Sequence, residues 1–329
     1  MSAAQQTGAN RTGAHRNSVW RNVAGLVFSL PFAYLGTVLL LVFAYFTRPT
    51  LLSPLLLLLI LRQAAPLGLA VIGQALCMRV LSLDLSIGGV IVAVSYILTS
   101  GVLPFSDPVL IIACIAFGVC IGLINAFFIT RLRASSVIVT LAMAMILTGI
   151  VISMGQFRAP GDAPEILQYL GQKRIGIVPV ALLVWIALMV PAALFLRLSV
   201  FGRYVDAIGA NPGAAWASGI PYVRVVTIVH VLSSLFAVFS GMLLVGFVGV
   251  GSMDIGGDLP LISLAAVILG GVTFGAGKGG VLGPAVAAFM LTFSFNLLTS
   301  LGLGEPGKLM LQGAIIAGAA MIYAARRDA

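Results

Sequence analysis

The side chains able to do chemistry are few. Nine carboxylates, two histidines and three cysteines are spread over 329 residues. The acids are Asp84, Asp107, Asp162, Glu165, Asp206, Asp254, Asp258, Glu305 and Asp328. None lies clearly at the middle of an apolar stretch. A proton-driven carrier keeps ionisable groups at membrane depth because its proton relay needs them, so this placement argues against that mechanism. It does not exclude a sodium-coupled carrier, which can use backbone carbonyls. His15 and His230 stand far apart, and Cys77, Cys114 and Cys120 fall inside apolar segments with no Cys-x-x-Cys pair. The cysteines read as buried small hydrophobes. Spacing supports neither a disulfide framework nor a zinc site, and no metal or cofactor is expected in this chain.

Two glycine patterns look like nucleotide loops by letter. Gly275-x-Gly277-x-x-Gly280 matches the dinucleotide fingerprint, yet it sits between two apolar stretches with no strand before it, and reads as a turn. Gly277-Lys278 resembles a phosphate loop, but Val272 stands where the upstream glycine is needed and Gly279 where Ser or Thr is needed. The chain should therefore not bind ATP by itself. Neither His-Glu-x-x-His nor Gly-x-Ser-x-Gly occurs, so an enzyme is not expected.

The elements that must position these residues are apolar helices. The chain is 60% hydrophobic and 8% charged, with mean hydropathy +1.16. So few charges cannot cover a water-soluble surface, and lipid must be the solvent for most of it. The fold class is an all-α integral membrane protein of about ten spans, some short or broken. Expected spans are 24–46, 66–81, 87–102, 108–130, 135–154, 178–197, 223–247, 259–274, 280–300 and 308–324, with an interfacial elbow helix at 54–65. Polar stretches at 155–177 and 198–222 interrupt them. Residues 1–23 form a polar, disordered cytoplasmic tail, and 24–329 a single membrane-spanning domain. Gly118-x-x-x-Gly122 has the small-residue spacing that lets helices approach closely.

The net charge of +9 does not point to nucleic acid, because the Lys and Arg residues sit at the ends of apolar stretches and orient them. With the N-terminus inside, twelve basic residues fall inside and six outside. Both termini are then cytoplasmic, the 155–177 loop is outside and the 198–222 loop inside.

Three segments carry a resemblance. Asp84-Leu85-Ser86-Ile87-Gly88 resembles the Asp-Leu-Ser-Val-Gly signature of permeases of ribose-type (monosaccharide) ABC importers, in the branched-chain amino acid/ribose permease superfamily. Gly122-Leu-Ile-Asn125, the basic turn at Arg131 and Arg133, and Val139-Thr140-Leu141-Ala142 are similar to that family's next conserved run. Gly202-Arg203, Ala207, Gly209, Asn211, Ala214-Ala215 and Gly219-Ile220 resemble its cytoplasmic loop. The resemblance covers nearly the whole chain from about residue 25, in order and spacing.

It implies a permease that partners a cytoplasmic ABC ATPase, a periplasmic solute-binding protein and a second permease copy, identical or similar, in the bacterial inner membrane. It also implies that 198–222 carries a coupling helix docked on the ATPase, and that the solute is a monosaccharide or related polyol. Permeases for branched-chain amino acids, nucleosides or a signalling furanone share much of the fold. From another class, the alternative is a stand-alone secondary transporter. This chain departs from the pattern at two places. Gly213 and Trp216 replace the charged residues common in coupling helices, so docking should rely on shape. Arg79-Val80-Leu81-Ser82-Leu83 replaces a glycine-rich run before Asp84. Asp84 or Ser86 should accept hydrogen bonds at the N-terminus of the following span. Asn125 and Asn296 fit helix-to-helix hydrogen bonding or pathway lining; packing is the preferred reading.

Overall fold

The computed structural model describes residues 31–327 apart from 276 and 278. The expected tail, the start of the first span and Lys278 lie outside the described residues. Fourteen stretches of regular helix or turn follow one another, and sheet is confined to one small hairpin among the described residues. The helices are α1 (Phe32–Thr47), α2 (Pro54–Arg79), α3 (Ile87–Thr99), α4 (Asp107–Thr130), α5 (Ser136–Gly155), α6 (Glu165–Gln172), α7 (Val180–Leu198), α8 (Val200–Ala210), α9 (Pro212–Ala217), α10 (Tyr222–Val248), α11 (Leu259–Leu269), α12 (Leu282–Ser300) and α13 (Gly304–Arg327). A 3-10 turn at Pro49–Leu52 joins α1 to α2. The hairpin pairs β1 (Arg174–Ile175) with β2 (Val178–Pro179), antiparallel.

Six of these helices, α2, α4, α5, α7, α10 and α12, are long and apolar enough to cross a membrane. In contrast, α3 has 13 residues and α11 has 11. At about 1.5 Å per residue they span roughly 20 and 17 Å, short of a hydrocarbon core about 30 Å thick. Both are apolar and largely buried, which is how half-length helices survive in lipid: the bundle, not the bilayer, surrounds their ends.

The long helix α10 is the hub. It packs on α2, α3, α4 and α6. Its contact with α4 is close because Gly118 and Gly122 remove the side chains that would otherwise meet Val238, and Val231 with the His230 carbonyl. The expected small-residue seam is thus a real helix-helix contact. On α10, Ser240 donates to the carbonyl of Pro66 at 2.7 Å, a second bond for a helix carbonyl with two lone pairs that ties α10 to α2.

One expectation is corrected. The elbow at 54–65 and the span at 66–81 are a single 26-residue helix, α2. Ser53 caps its N-terminus by accepting from Leu56 N–H, and Pro54 fits the first turn. Arg62 and Gln63 look like a break in sequence, but each finds a partner without leaving the helix. Arg62 donates to the Gly171 carbonyl at 2.8 Å and stacks over the Phe247 ring. Gln63 accepts from Asn296 at 2.8 Å.

The polar stretches are ordered. Residues 155–177 contain α6 and the first strand of the hairpin, and they are stitched to 248–258: Ala163 N–H donates to Gly249 O, and Gly251 N–H to Gly161 O. Gly161 N–H reaches Thr99 O at the end of α3. Residues 198–222 fold into α8 and α9.

Candidate functional site

Two places concentrate the expected residues. The first is the interruption between α2 and α3, residues 80–86. Leu81 turns the chain through a left-handed conformation at φ 62°, which ends α2 and sends the backbone on extended. Buried non-helical backbone must find partners, and two side chains of α5 supply them for Leu83 and Leu85. Ser136 of α5 accepts from Leu83 N–H at 3.1 Å, and Thr140 accepts from Leu85 N–H at 3.0 Å.

Asp84 lies at the centre of this break, fully buried. Its Oδ1 accepts from Ser86 N–H at 3.0 Å and from the Ser86 hydroxyl; its Oδ2 accepts from Ser233 at 2.7 Å. Ser86 is the residue before α3, yet its hydroxyl caps no backbone group. It serves Asp84 and accepts from Asn125 Nδ2 at 3.0 Å. Asn125 therefore ties α4 to the break, while Asn296 ties α12 to α2 through Gln63. Gly88 brings the first turn of α3 against Pro260 at the start of α11.

Sequence reasoning missed the other half of this site. His230 is fully buried beside the break. Its Nε2 lies 2.8 Å from Ser82 Oγ and its Nδ1 4.0 Å from Cys77 Sγ. Eight residues into α10, it sits about 12 Å along that helix. The ionisable pair Asp84 and His230 thus lies buried inside the bundle, although Asp84 stands between helices and not at the middle of a span. The available signal was local: His230, Ser233 and Ser234 repeat at helical spacing in an otherwise apolar span, and an ionisable residue within a span is unusual. What joined it to Asp84, 146 positions away by number, was not visible.

The second place is the α8–α9 segment. Ser199 caps α8 by accepting from Gly202 N–H, and Asn211 caps α9 by accepting from Ala214 N–H at 3.0 Å. Gly202 leaves room for the Leu196 carbonyl, and Gly209 for the carbonyl of Arg79 and for Gly277. A side chain at either would collide with backbone. Gly219 ends α9 in the left-handed region at φ 80°, where glycine is the least strained residue. Ile220 N–H then returns to Ala215 O. Ala215 is buried, Ala207 and Ile220 are half-buried, and Arg203, Asn211, Ala214 and Trp216 face outward.

One ion pair joins the two places. Arg79, the last residue of α2, donates to Asp206 of α8. The Arg79 side chain is buried, whereas that of Asp206 is 47% exposed. A groove of about 1360 Å³ also runs between them, lined by Ser82, Arg131, Arg133, Pro212, Trp216 and Arg224 among others.

Residues 56–320 match the family model described as branched-chain amino acid transport system / permease component. The chain belongs to this permease family. Among curated relatives, the probable ABC transporter permease protein YphD of Escherichia coli K12 is 30% identical over 78% of each chain. The fructose import permease protein FrcC of Rhizobium meliloti is 30% identical over 73% of this chain and 69% of its own. The ribose import permease protein RbsC of Bacillus subtilis is 28% identical over 86% of this chain and 89% of its own. No solved structure matches the chain significantly. This permease-family chain is accordingly a multi-pass membrane protein and a transport component rather than a catalytic one.

Proposed function

We propose that this permease-family chain is the membrane-spanning subunit of an ATP-binding-cassette importer for a monosaccharide or related polyol. Its relatives named for fructose and ribose import support the solute class. The observation that carries the coupling assignment is the α8–α9 segment: a capped, outward-facing pair of short helices whose inner face is locked to the end of α2 by Arg79–Asp206 and Gly209. A partner ATPase that moves this segment would act directly on the helix leading into the buried break.

In this reading α1, α3, α11 and α13 join the six long helices to give ten membrane segments, with both termini cytoplasmic in the bacterial inner membrane. Residues 24–329 act as one permease domain. The stitched 155–177 and 248–258 loops form the outer face that receives a periplasmic binding protein. A second permease copy completes the pathway. Hydrolysis belongs to the ATPase, and solute choice mainly to the binding protein.

One observation favours a second reading. A stand-alone secondary carrier uses broken helices and buried ionisable groups, and the α2–α3 break with Asp84 and His230 has both. The family relatives weigh toward the importer.

The deciding experiment captures the tagged chain from its native membranes in mild detergent and identifies what comes with it. An ABC ATPase and a periplasmic binding protein are expected, and uptake should fail when the ATPase is removed. Uptake that persists without the ATPase but collapses with a protonophore would move the assignment to the carrier.

A further inference from the structure

We propose that Cys77, Asp84 and His230 form a binding site for one soft divalent transition-metal ion of the zinc class, inside the helix bundle. The inference does not depend on the importer reading.

Three independent features lead there. First, the ligand atoms converge: the cysteine sulfur, a carboxylate oxygen and an imidazole nitrogen all lie within 4.8 Å of one another, and all three residues are buried. Zinc-bound sulfur and nitrogen stand roughly 3.5 Å apart in a tetrahedron, so the present 4.0 Å between Cys77 Sγ and His230 Nδ1 closes by only about 0.5 Å on loading.

Second, the groups behind the ligands already orient them. A metal-ligating histidine usually engages its other nitrogen with an oxygen, which sets the tautomer. Ser82 stands 2.8 Å from Nε2; with Nε2–H directed to it, the Nδ1 lone pair faces Cys77. Asp84 is held by Ser86 and Ser233.

Third, the buried carboxylate has no Lys or Arg partner among the described residues. Asp84 is fully buried, and the two ion pairs there are Arg79–Asp206 and Lys308–Glu305. A buried carboxylate needs a counter-charge or a proton. A divalent ion with one thiolate, one carboxylate and one neutral imidazole sums to zero. Binding displaces the thiol proton to solvent, and one coordination position stays open to water.

The groove described above reaches Ser82, the neighbour of His230 Nε2. The ion would fasten α2, the break and α10 to one another at a single point.

The test uses the full-length chain, purified in detergent, stripped with a chelator and titrated with Co²⁺. One equivalent should bind with a thiolate-to-cobalt charge-transfer band, and Zn²⁺ should abolish the band by displacement. Cys77→Ser, which keeps the side-chain size, should remove the band and weaken Co²⁺ binding by about 100-fold or more, beyond the 10–100-fold typical of supporting residues. Ser82→Ala should weaken binding by about 10-fold while leaving the band in place. Gel filtration of each variant checks that the fold survives; should Cys77→Ser not fold, zinc protection of the Cys77 thiol from alkylation in the wild-type chain gives the same answer. Absence of stoichiometric binding, or identical binding in Cys77→Ser, overturns the proposal and leaves a proton as the partner of Asp84.

Discussion

The two interrupted regions, residues 80–86 and 198–222, solve one problem in opposite surroundings. Each breaks a helical path and frees backbone donors and acceptors. At 80–86 most of the chain is buried, and beside local bonds several partners are side chains brought from distant helices: Ser136 and Thr140 from α5, Ser233 from α10, Asn125 through Ser86 from α4. At 198–222 the partners are local, with Ser199, Asn211 and Gly219 acting within three or four residues. The buried break is therefore rigid by cross-linking, and the exposed segment is stable by capping. Substitutions should cost most where partners cannot be replaced by water.

The sharpest way to break this contrast is Asp84→Ala. It strands three buried donors, the Ser86 N–H and the hydroxyls of Ser86 and Ser233. Each orphan costs about 1–3 kcal/mol, so a loss of about 3 kcal/mol or more is expected, read as a large drop in thermal midpoint by fluorescence-detected gel filtration. Asp84→Asn retains an acceptor and should lose less. Wild-type stability in Asp84→Ala would remove the claim that the break is held by this carboxylate.

Next comes Gly122→Val, which forces a side chain into the α4–α10 seam where backbone of His230 and Val231 already sits. Overpacking of this kind costs about 1–3 kcal/mol. Gly149, on the neighbouring helix α5, has open space where a methyl group on its Cα would point, with nothing within 4 Å. Gly149→Ala should therefore be neutral or slightly stabilising, because alanine favours helix by about 1 kcal/mol. Equal effects at the two glycines would mean that close packing is not what fixes α10.

The joint between the regions is of intermediate weight. Asp206→Asn leaves the buried Arg79 guanidinium short of its counter-ion. Losing a buried partner can cost about 3–5 kcal/mol, but Asp206 is half exposed, so about 1–2 kcal/mol is expected after screening. The reversed pair, Arg79→Asp with Asp206→Arg, should recover less than half of that loss, because burying Asp in place of Arg79 also changes packing. In a reconstituted transporter, Asp206→Asn should lower uptake more than it lowers basal ATP hydrolysis. Parallel losses would assign the pair to stability alone.

The sequence made the exposed segment far more legible than the buried one. Caps, small residues and a terminal glycine act over a few positions, so Ser199, Asn211 and Gly219 can be read in place. The Gly118–Gly122 spacing is equally local and appears as the α4–α10 seam. Long-range partners are not readable that way. Arg62 and Gln63 mimic a helix end until Gly171 and Asn296, 109 and 233 positions away, satisfy them. Asp84 reads as a loop cap until Ser233, 149 positions on, closes over it. Cys77 and His230 read as unrelated residues because their adjacency is created by helix packing alone.

The smallest effect on stability should come with a large effect on association. Asn211→Ala removes the cap of α9, worth about 1 kcal/mol, but α9 is six residues long and mostly exposed. Its fraying should unsettle only that turn, so the thermal midpoint of the bundle should stay close to wild type. In the proposed importer, by contrast, capture of the ATPase depends on α9 being formed when the partner arrives; a frayed helix binds in proportion to its folded fraction, so about fivefold weaker recovery follows from a loss of about 1 kcal/mol. Trp216→Ala, which leaves the cap intact but removes the largest exposed side chain of α9, separates shape from folding: if capture falls with Trp216→Ala alone, shape is what the ATPase reads, and if it falls only with Asn211→Ala, the helix matters as a lever.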